Sequence, residues 1–314
     1  MAGQATLIKA SITSIPAYAM QTMLLPQKIC HRIDKLSCNF LWGDTEHHRG
    51  CHSVNWATVT TLKAAGGLGI PSTRHRNHAI LMNQAWHLYS NPTTLWARVL
   101  QAKYFSYATL FTSPHTSRGS HIWTAFSMGI KLLREGMTWI VGDGQTIRIW
   151  QDPWLPNGSL RSYIAGPLLL HDEENRVHSL WINQSWAFDL LNFPLSPHLQ
   201  NLIQGIPIAH TTHFPDAYLW PYNKGMCSVK SASHFLYDQS LVPWNTTLWN
   251  WLWTLPCPKK IQFFLWKAMR NRLPTRTFLA HGQQHVDSHC PRCNSPETTL
   301  HILRDCPWAR EVWS

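Results

Sequence analysis

Cys290-Pro-Arg-Cys293 is followed after seven residues by His301 and after four more by Cys306. Three thiols and an imidazole in so short a run, with a two-residue gap inside the first pair, can close tetrahedrally on one ion, the geometry that zinc prefers. Pro291 and Pro296 stiffen the knuckle, while Thr299, Leu300, Ile302 and Leu303 around His301 suit a short helix or a tight strand. Such a four-ligand site is closed and therefore structural.

A second constellation lies upstream. Pro256 and Pro258 set the start of a helix from Lys259 to about Arg272, in which Ile261, Phe264, Leu265 and Ala268 form a stripe at i, i+3, i+4 and i+7. That stripe is expected to face the core. Lys259, Lys260, Phe263, Trp266, Lys267 and Arg270 lie away from it. Cations interleaved with aromatic faces can hold a single-stranded backbone while bases stack. The plainer reading packs Phe263 and Trp266 beneath the knuckle and leaves the lysines in water. Thr275 caps the next short helix, which Gly282 ends.

Other chemistry is excluded by context. Gly66-Gly-Leu-Gly69 has no Lys-Ser or Lys-Thr pair after it and reads as a tight turn, not a phosphate loop. Trp139-Ile-Val141, Gly142-Asp-Gly144 and Thr146 to Trp150 read as a hairpin, which makes Asp143 and Asp152 turn residues before catalytic candidates. Asp172-Glu-Glu174 reads as a solvated loop.

The elements that position these groups are mostly helical. Leu7, Ile8, Ile12 and Ile15 repeat at helical spacing up to Pro16. Pro26 opens a second helix with Ile29, Ile33, Leu36 and Phe40 on one face and Lys28, Arg32 and Lys35 on the other, and Gly43 stops it. Between Asn77 and Ser90, Leu81, Ala85 and Leu88 form one apolar stripe and Met82, Trp86 and Tyr89 another, so this helix should be largely buried. Trp96 to Tyr104 is a further short helix, and Ser228 caps one through Ala232, Phe235 and Leu236. The expected fold is mainly α, with a small β-containing middle region and a C-terminal helical zinc-knuckle domain. Its expected divisions are residues 1–105, 106–227 and 228–314.

Composition sets the partners. The 314 residues suffice for two or three cores, to which 18 Trp contribute. No apolar run is long enough to span a membrane, and eight Cys without regular pairing fit a reducing compartment, nucleus or cytoplasm. The net charge of +11 is uneven: residues 1–150 carry 14 basic and 5 acidic side chains, 151–258 carry 4 and 7, and 259–314 carry 9 and 4. Two basic ends around an acidic middle suit phosphate neutralisation at both ends.

With these residues in hand, the chain resembles the C-terminal region of a plant non-LTR (LINE-type) retrotransposon reverse transcriptase, including its zinc-binding domain. The resemblance rests on Ser228-Val-Lys-Ser-Ala232, Trp253 with Pro256, Pro258 and Lys260-Ile261, Phe264-Leu-Trp266, Leu273-Pro-Thr275, and the Cys290, Cys293, His301, Cys306 set followed by Pro307. Upstream, Leu7-Ile-Lys9, Ser14-Ile-Pro16, Phe40-Leu-Trp-Gly43, Gly66-Gly-Leu-Gly-Ile70, Leu95-Trp-Ala-Arg98, Gly142-Asp-Gly144 and Ile149-Trp-Gln-Asp-Pro-Trp154 resemble the segment joining polymerase to zinc domain. The resemblance implies a zinc ion on the four ligands. It also implies a grip on element RNA or target DNA through Lys259, Lys260, Lys267, Arg270, Arg272, Arg276 and Arg292, with other retroelement proteins as further partners.

A polymerase of this kind needs paired aspartates for two metal ions, and no Asp-Asp pair occurs in the chain. No endonuclease or RNase H segment is visible either. The expectation is thus a non-catalytic, zinc-containing nucleic-acid-binding fragment of a retroelement polyprotein. The alternatives are a protein-interaction or scaffold module with a Trp-rich docking surface, and an unselected relic without activity.

Overall fold

Helices dominate the chain, and the sequence accounts for where they start and stop. The computed structural model describes residues 1–105, 119–156, 158–168, 170–206, 214–238, 246–281 and 286–314. Two compact units emerge, one made of Met1–Leu81, Gly119–Ala125 and Ser233–Ser314, the other of Met82–Arg118 and Phe126–Ala232. Among the described residues no helix is long and apolar enough to cross a membrane.

In the first unit, Pro26 precedes the helix Gln27–Trp42, and Gly43 ends it in the left-handed conformation at φ 76°. The buried face is not the one the spacing suggested. Cys30, Ser37, Leu41 and Trp42 point inward, whereas Ile29, Leu36 and Phe40 remain exposed. Two adjacent stripes both satisfy the helical period, and a polar interlock selects between them. Asp34, on the inward side, accepts from the Thr73 amide at 2.9 Å and its hydroxyl at 2.6 Å, and so caps the helix Thr73–Ser90.

The helix Lys259–Met269 is rotated in the same way. Trp266 and Gln262 are fully buried, while Ile261 and Phe264 lie 41% and 45% exposed. Gln262 tolerates burial because its Nε2 donates to Leu255 O at 2.9 Å. Trp266 does not pack beneath the knuckle. It shares a core with Ala5, Ile8, Leu41, Val59, Ile70 and Leu252, and its Nε1 donates to Gly66 O at 2.7 Å. The last segment of the chain thus completes the core of the first.

The glycine turn behaves as a turn. The amides of Gly66, Gly67, Leu68 and Gly69 all bond to carbonyls, those of Lys63, Leu62, Val59 and Thr61, so none remains to cradle a phosphate. A Cβ on Gly67 would meet Thr61 O at 2.1 Å, which explains the absence of a side chain there.

The helix Thr73–Ser90 buries Leu81, Met82, Ala85 and Leu88 as expected. Near its start, burial, reinforced by the charges of Arg74 and His75, pushes the His78 imidazole down to about 4. Its unfolded value is 6.5. The unfolded chain therefore binds the proton first on acidification, so the stability tied to neutral His78 is complete above pH 6.5 and is lost as pH falls through about 4. Wild type should lose more thermal stability than His78→Gln between pH 7 and pH 4.5. Parallel decreases in the two midpoints would refute this.

The second unit is built around Trp150, with Ile147, Ile149, Trp154, Leu160 and Val177. Here the expected hairpin does not form. Thr138–Ile140 pairs antiparallel with Ala217–Leu219, and Thr138 faces Leu219. Gly142 to Thr146 instead wraps the Asp216 carboxylate, which accepts from the amides of Gly142, Gly144 and Thr146 and from the Thr146 hydroxyl at 2.8–2.9 Å. Burial acts to raise this carboxyl, but the bonds from Thr146, Gly142 and Gly144 outweigh it and hold it below its usual range. A local glycine turn between apolar runs looks like a hairpin, and the true partner lies far along the chain. Asp143 serves its own turn by accepting from the Gln145 amide at 3.1 Å. Asp172 is no solvated loop residue: it is buried in the helix Leu170–Glu174 and accepts from Asn192 Nδ2 at 2.9 Å.

Caps also follow expectation. Ser228 Oγ accepts from the Ser231 amide at the start of Val229–Asp238, and Thr275 Oγ1 from the Phe278 amide at the start of Arg276–Ala280. The Gly282 stop lies outside the described residues. All eight cysteines are free.

Candidate metal centre

The knuckle is made by local backbone geometry. Asn294 adopts φ 59°, its amide bonds Cys290 O at 2.9 Å, and the Cys290 amide bonds Ser295 O at 2.8 Å. This turn folds Cys290 and Cys293 toward one point. Thr298 Oγ1 then accepts from the His301 amide at 3.2 Å, which opens a single wide turn of π-helix, His301–Asp305. Its closing bond runs from the Cys306 amide to His301 O at 2.9 Å. A bond of that i to i+5 span brings a histidine and a cysteine five residues apart onto one side, which an ordinary α turn would not do. Pro307 starts the helix Pro307–Trp313 immediately after.

The ligand atoms of Cys290, Cys293, His301 and Cys306 all lie within 4.8 Å of one another, and Cys293 Sγ is 3.2 Å from His301 Nε2. Metal–sulfur bonds of about 2.3 Å and metal–nitrogen bonds of about 2.0 Å in a tetrahedron place ligand atoms roughly 3.5–3.8 Å apart. The cluster thus needs only small shifts, the widest pairs closing and Cys293 Sγ and His301 Nε2 parting slightly, to hold a metal ion. Cys290, His301 and Cys306 are buried and Cys293 half-buried.

Electrostatics prepares two of the thiols. The Arg292 amide, followed by His301, lowers the Cys290 thiol, and the Ser295 amide lowers that of Cys293. Burial raises Cys306 despite the amides of Trp308 and Ala309, so its thiolate depends on the charge of an ion. The knuckle is tied to the helix Arg276–Ala280. Glu297 Oε1 accepts from the Arg276 amide at 2.8 Å, and Thr277 Oγ1 donates to Ser288 O at 3.3 Å.

The seven cations singled out in the sequence have different surroundings. Lys259 and Lys260 are exposed, and Lys259 Nζ donates to Gln262 Oε1 at 2.8 Å. Lys267 lies 5.2 Å over the Trp42 ring, with its ammonium lowered by burial. Arg270 donates to Gly66 O at 2.6 Å between the rings of Trp249 and Trp266. Arg272 is exposed over Phe278, Arg276 is 4.0 Å from Glu297, and Arg292 is exposed over Trp308.

Beside the centre is a hollow of about 570 Å³, lined by Arg270, Arg272 and Phe278 on one side and Thr298, Thr299 and Leu300 on the other. A second hollow of about 270 Å³ shares Arg272 and Phe278 with it and adds Lys267 and Trp42. Among the described residues no carboxylate lines either one. The sequence marked the cations but missed Phe278, Trp42 and the threonine hydroxyls, whose approach depends on distant segments.

Residues 227–313 match the family described as zinc-binding in reverse transcriptase. An Arabidopsis thaliana protein named "putative ribonuclease H protein" is 30% identical over 319 residues, an alignment covering 99% of this chain and 52% of that protein. An "uncharacterized mitochondrial protein" of the same plant is 29% identical over 143 residues, 45% of this chain and 93% of its own length. The chain therefore spans about half the length of the first of these relatives.

Proposed function

We propose, from the premise that residues 227–313 are a reverse-transcriptase zinc-binding domain on a retroelement-derived chain, that this protein is a non-catalytic module that grips single-stranded RNA or DNA. The observation that carries this reading is the pair of adjoining hollows joined at Arg272 and Phe278, lined by cations and aromatic rings with no carboxylate among the described residues. Lys267, Arg270 and Arg272 supply positive charge for a phosphate backbone, while the half-buried Phe278 offers a face on which a base can stack. Zinc, the ion that this donor set suits, would cross-link Cys290, Cys293, His301 and Cys306 and hold the Thr298–Leu300 wall in place. Four protein ligands leave it no open position for substrate, and the chain lacks the paired aspartates of a two-metal polymerase site. The ligand is expected to be element RNA or target DNA.

Exposed Trp251, Trp308 and Trp313 favour a second reading, a surface for docking another protein. The two separate in a titration of fluorescent single-stranded RNA at several salt concentrations, with zinc present and after chelation. Nucleic-acid binding predicts a log–log salt slope of about −3, as about four phosphate contacts imply, which Arg272→Gln flattens by about 0.7. A shallow slope unchanged by chelation would overturn the proposal in favour of protein docking.

A further inference from the structure

We propose that Lys9 and Lys63, gathered beside Gly69, form together with Lys259 a second phosphate site that holds a phosphodiester of the bound nucleic acid. This rests on the nucleic-acid reading above and adds Lys9 and Lys63, whose role the sequence does not suggest. The three lysines come from separate segments: Lys9 from a π turn over Ile8–Ile12, Lys63 from the short helical turn Lys63–Ala65, and Lys259 from the first position of Lys259–Met269.

Their convergence is geometric. Lys9 Nζ donates to Leu68 O at 2.7 Å. A Cβ added to Gly69 would lie 3.2 Å from Lys63 Cγ and 3.7 Å from Lys9 Nζ, so the glycine lets both side chains close over the same stretch of backbone. Lys63 Nζ stands 5.1 Å over the Trp253 ring. Lys259 Nζ bonds Gln262, whose Nε2 in turn reaches Trp253 O at 3.5 Å. An ammonium has three donors, so Lys9 and Lys259 each keep two beyond these bonds.

The arrangement is costly without an anion. Like charges near one another repel, and the Lys9 ammonium is pushed down to about 8 by burial together with the charges of Lys63 and Lys259. Lys63 is lowered by burial and by Lys259. Isolated π turns often mark functional positions, and the one at Ile8–Ile12 carries Lys9. A phosphate seated among the three groups would relieve the repulsion that folding imposes. If Lys9 served only to satisfy Leu68 O, its removal would alter stability and leave binding untouched.

The test uses the zinc-loaded full chain and the double variant Lys9→Gln, Lys63→Gln in the same salt titration with single-stranded RNA. The expected result is a slope flattened by about 0.7, the one phosphate contact of this site. In parallel, amine acylation of wild type read by mass spectrometry should show Lys9 and Lys63 protected by RNA, a readout that holds even where the variant folds poorly. An unchanged slope and no protection, with Arg272→Gln still flattening the slope, would overturn this site and leave the nucleic-acid reading standing. Salt-independent binding by wild type would overturn both. Protection by millimolar inorganic phosphate but not by RNA would overturn the assignment to nucleic acid.

Discussion

Cys290→Ser, Cys293→Ser protein loses stoichiometric metal, and the segment from Ser288 to Cys306 loses its amide protection with it. Little else holds this segment. Its buried side chains are chiefly the ligands themselves and Thr299, so the apolar contribution is small. Metal binding to comparable structural sites is worth about 10–16 kcal/mol in isolated peptides at pH 7. That is as large as the whole stability of a typical domain, about 5–15 kcal/mol. The Glu297 and Thr277 bonds to the helix Arg276–Ala280 are a few ordinary hydrogen bonds, each worth about 1 kcal/mol. They cannot replace the ion. Chelation of wild type should reproduce the effect, with the loss of protection confined to the knuckle and the helix Pro307–Trp313 that follows. Metal analysis and hydrogen exchange on the same samples provide the check, and retention of one metal ion per chain by the double variant would refute the assignment.

Trp266→Ala destabilises the first unit by about 3–5 kcal/mol, the usual cost of emptying a buried tryptophan position. The indole is fully buried among Ile8, Leu41, Val59 and Leu252, so its removal opens a cavity between segments from both ends of the chain. Gly66 O keeps Arg270 as a donor, so the penalty arises from lost packing and not from an orphaned carbonyl. Trp266→Phe should therefore recover part of the loss. Urea denaturation would show a lower midpoint with an unchanged slope, and metal content should match that of wild type because the knuckle is built from its own turn. A loss below about 1 kcal/mol for the alanine variant would refute this account of the core.

Much of the candidate site was legible because its geometry is local. Cys290 and Cys293 meet through one turn, His301 and Cys306 through one π-helical bond, and among the described residues no distant segment joins the cluster. The basic surface was legible only in part. Arg272 stands where the sequence could suggest it, but Arg270 is drawn inward to Gly66 and Lys267 lies over Trp42, contacts with residues some two hundred positions earlier.

The sequence by itself determined the Cys290, Cys293, His301, Cys306 cluster, the Pro26 and Gly43 limits of the second helix, the Ser228 and Thr275 caps and the Gly66–Gly69 turn. The caps depend on bonds within about one turn of chain and the glycine turn on carbonyls no further back than Val59, so composition and spacing suffice. Tertiary structure alone decided which stripe of Gln27–Trp42 and Lys259–Met269 is buried, which strand pairs with Thr138–Ile140, and where Lys9 and Lys63 meet beside Gly69. On both helices neighbouring stripes are apolar enough to face a core. Asp34, satisfied by Thr73 thirty-nine residues on, and Trp266, seated against Gly66 and the core of the first segments, settle the rotation, and those partners come into reach only once the chain has folded.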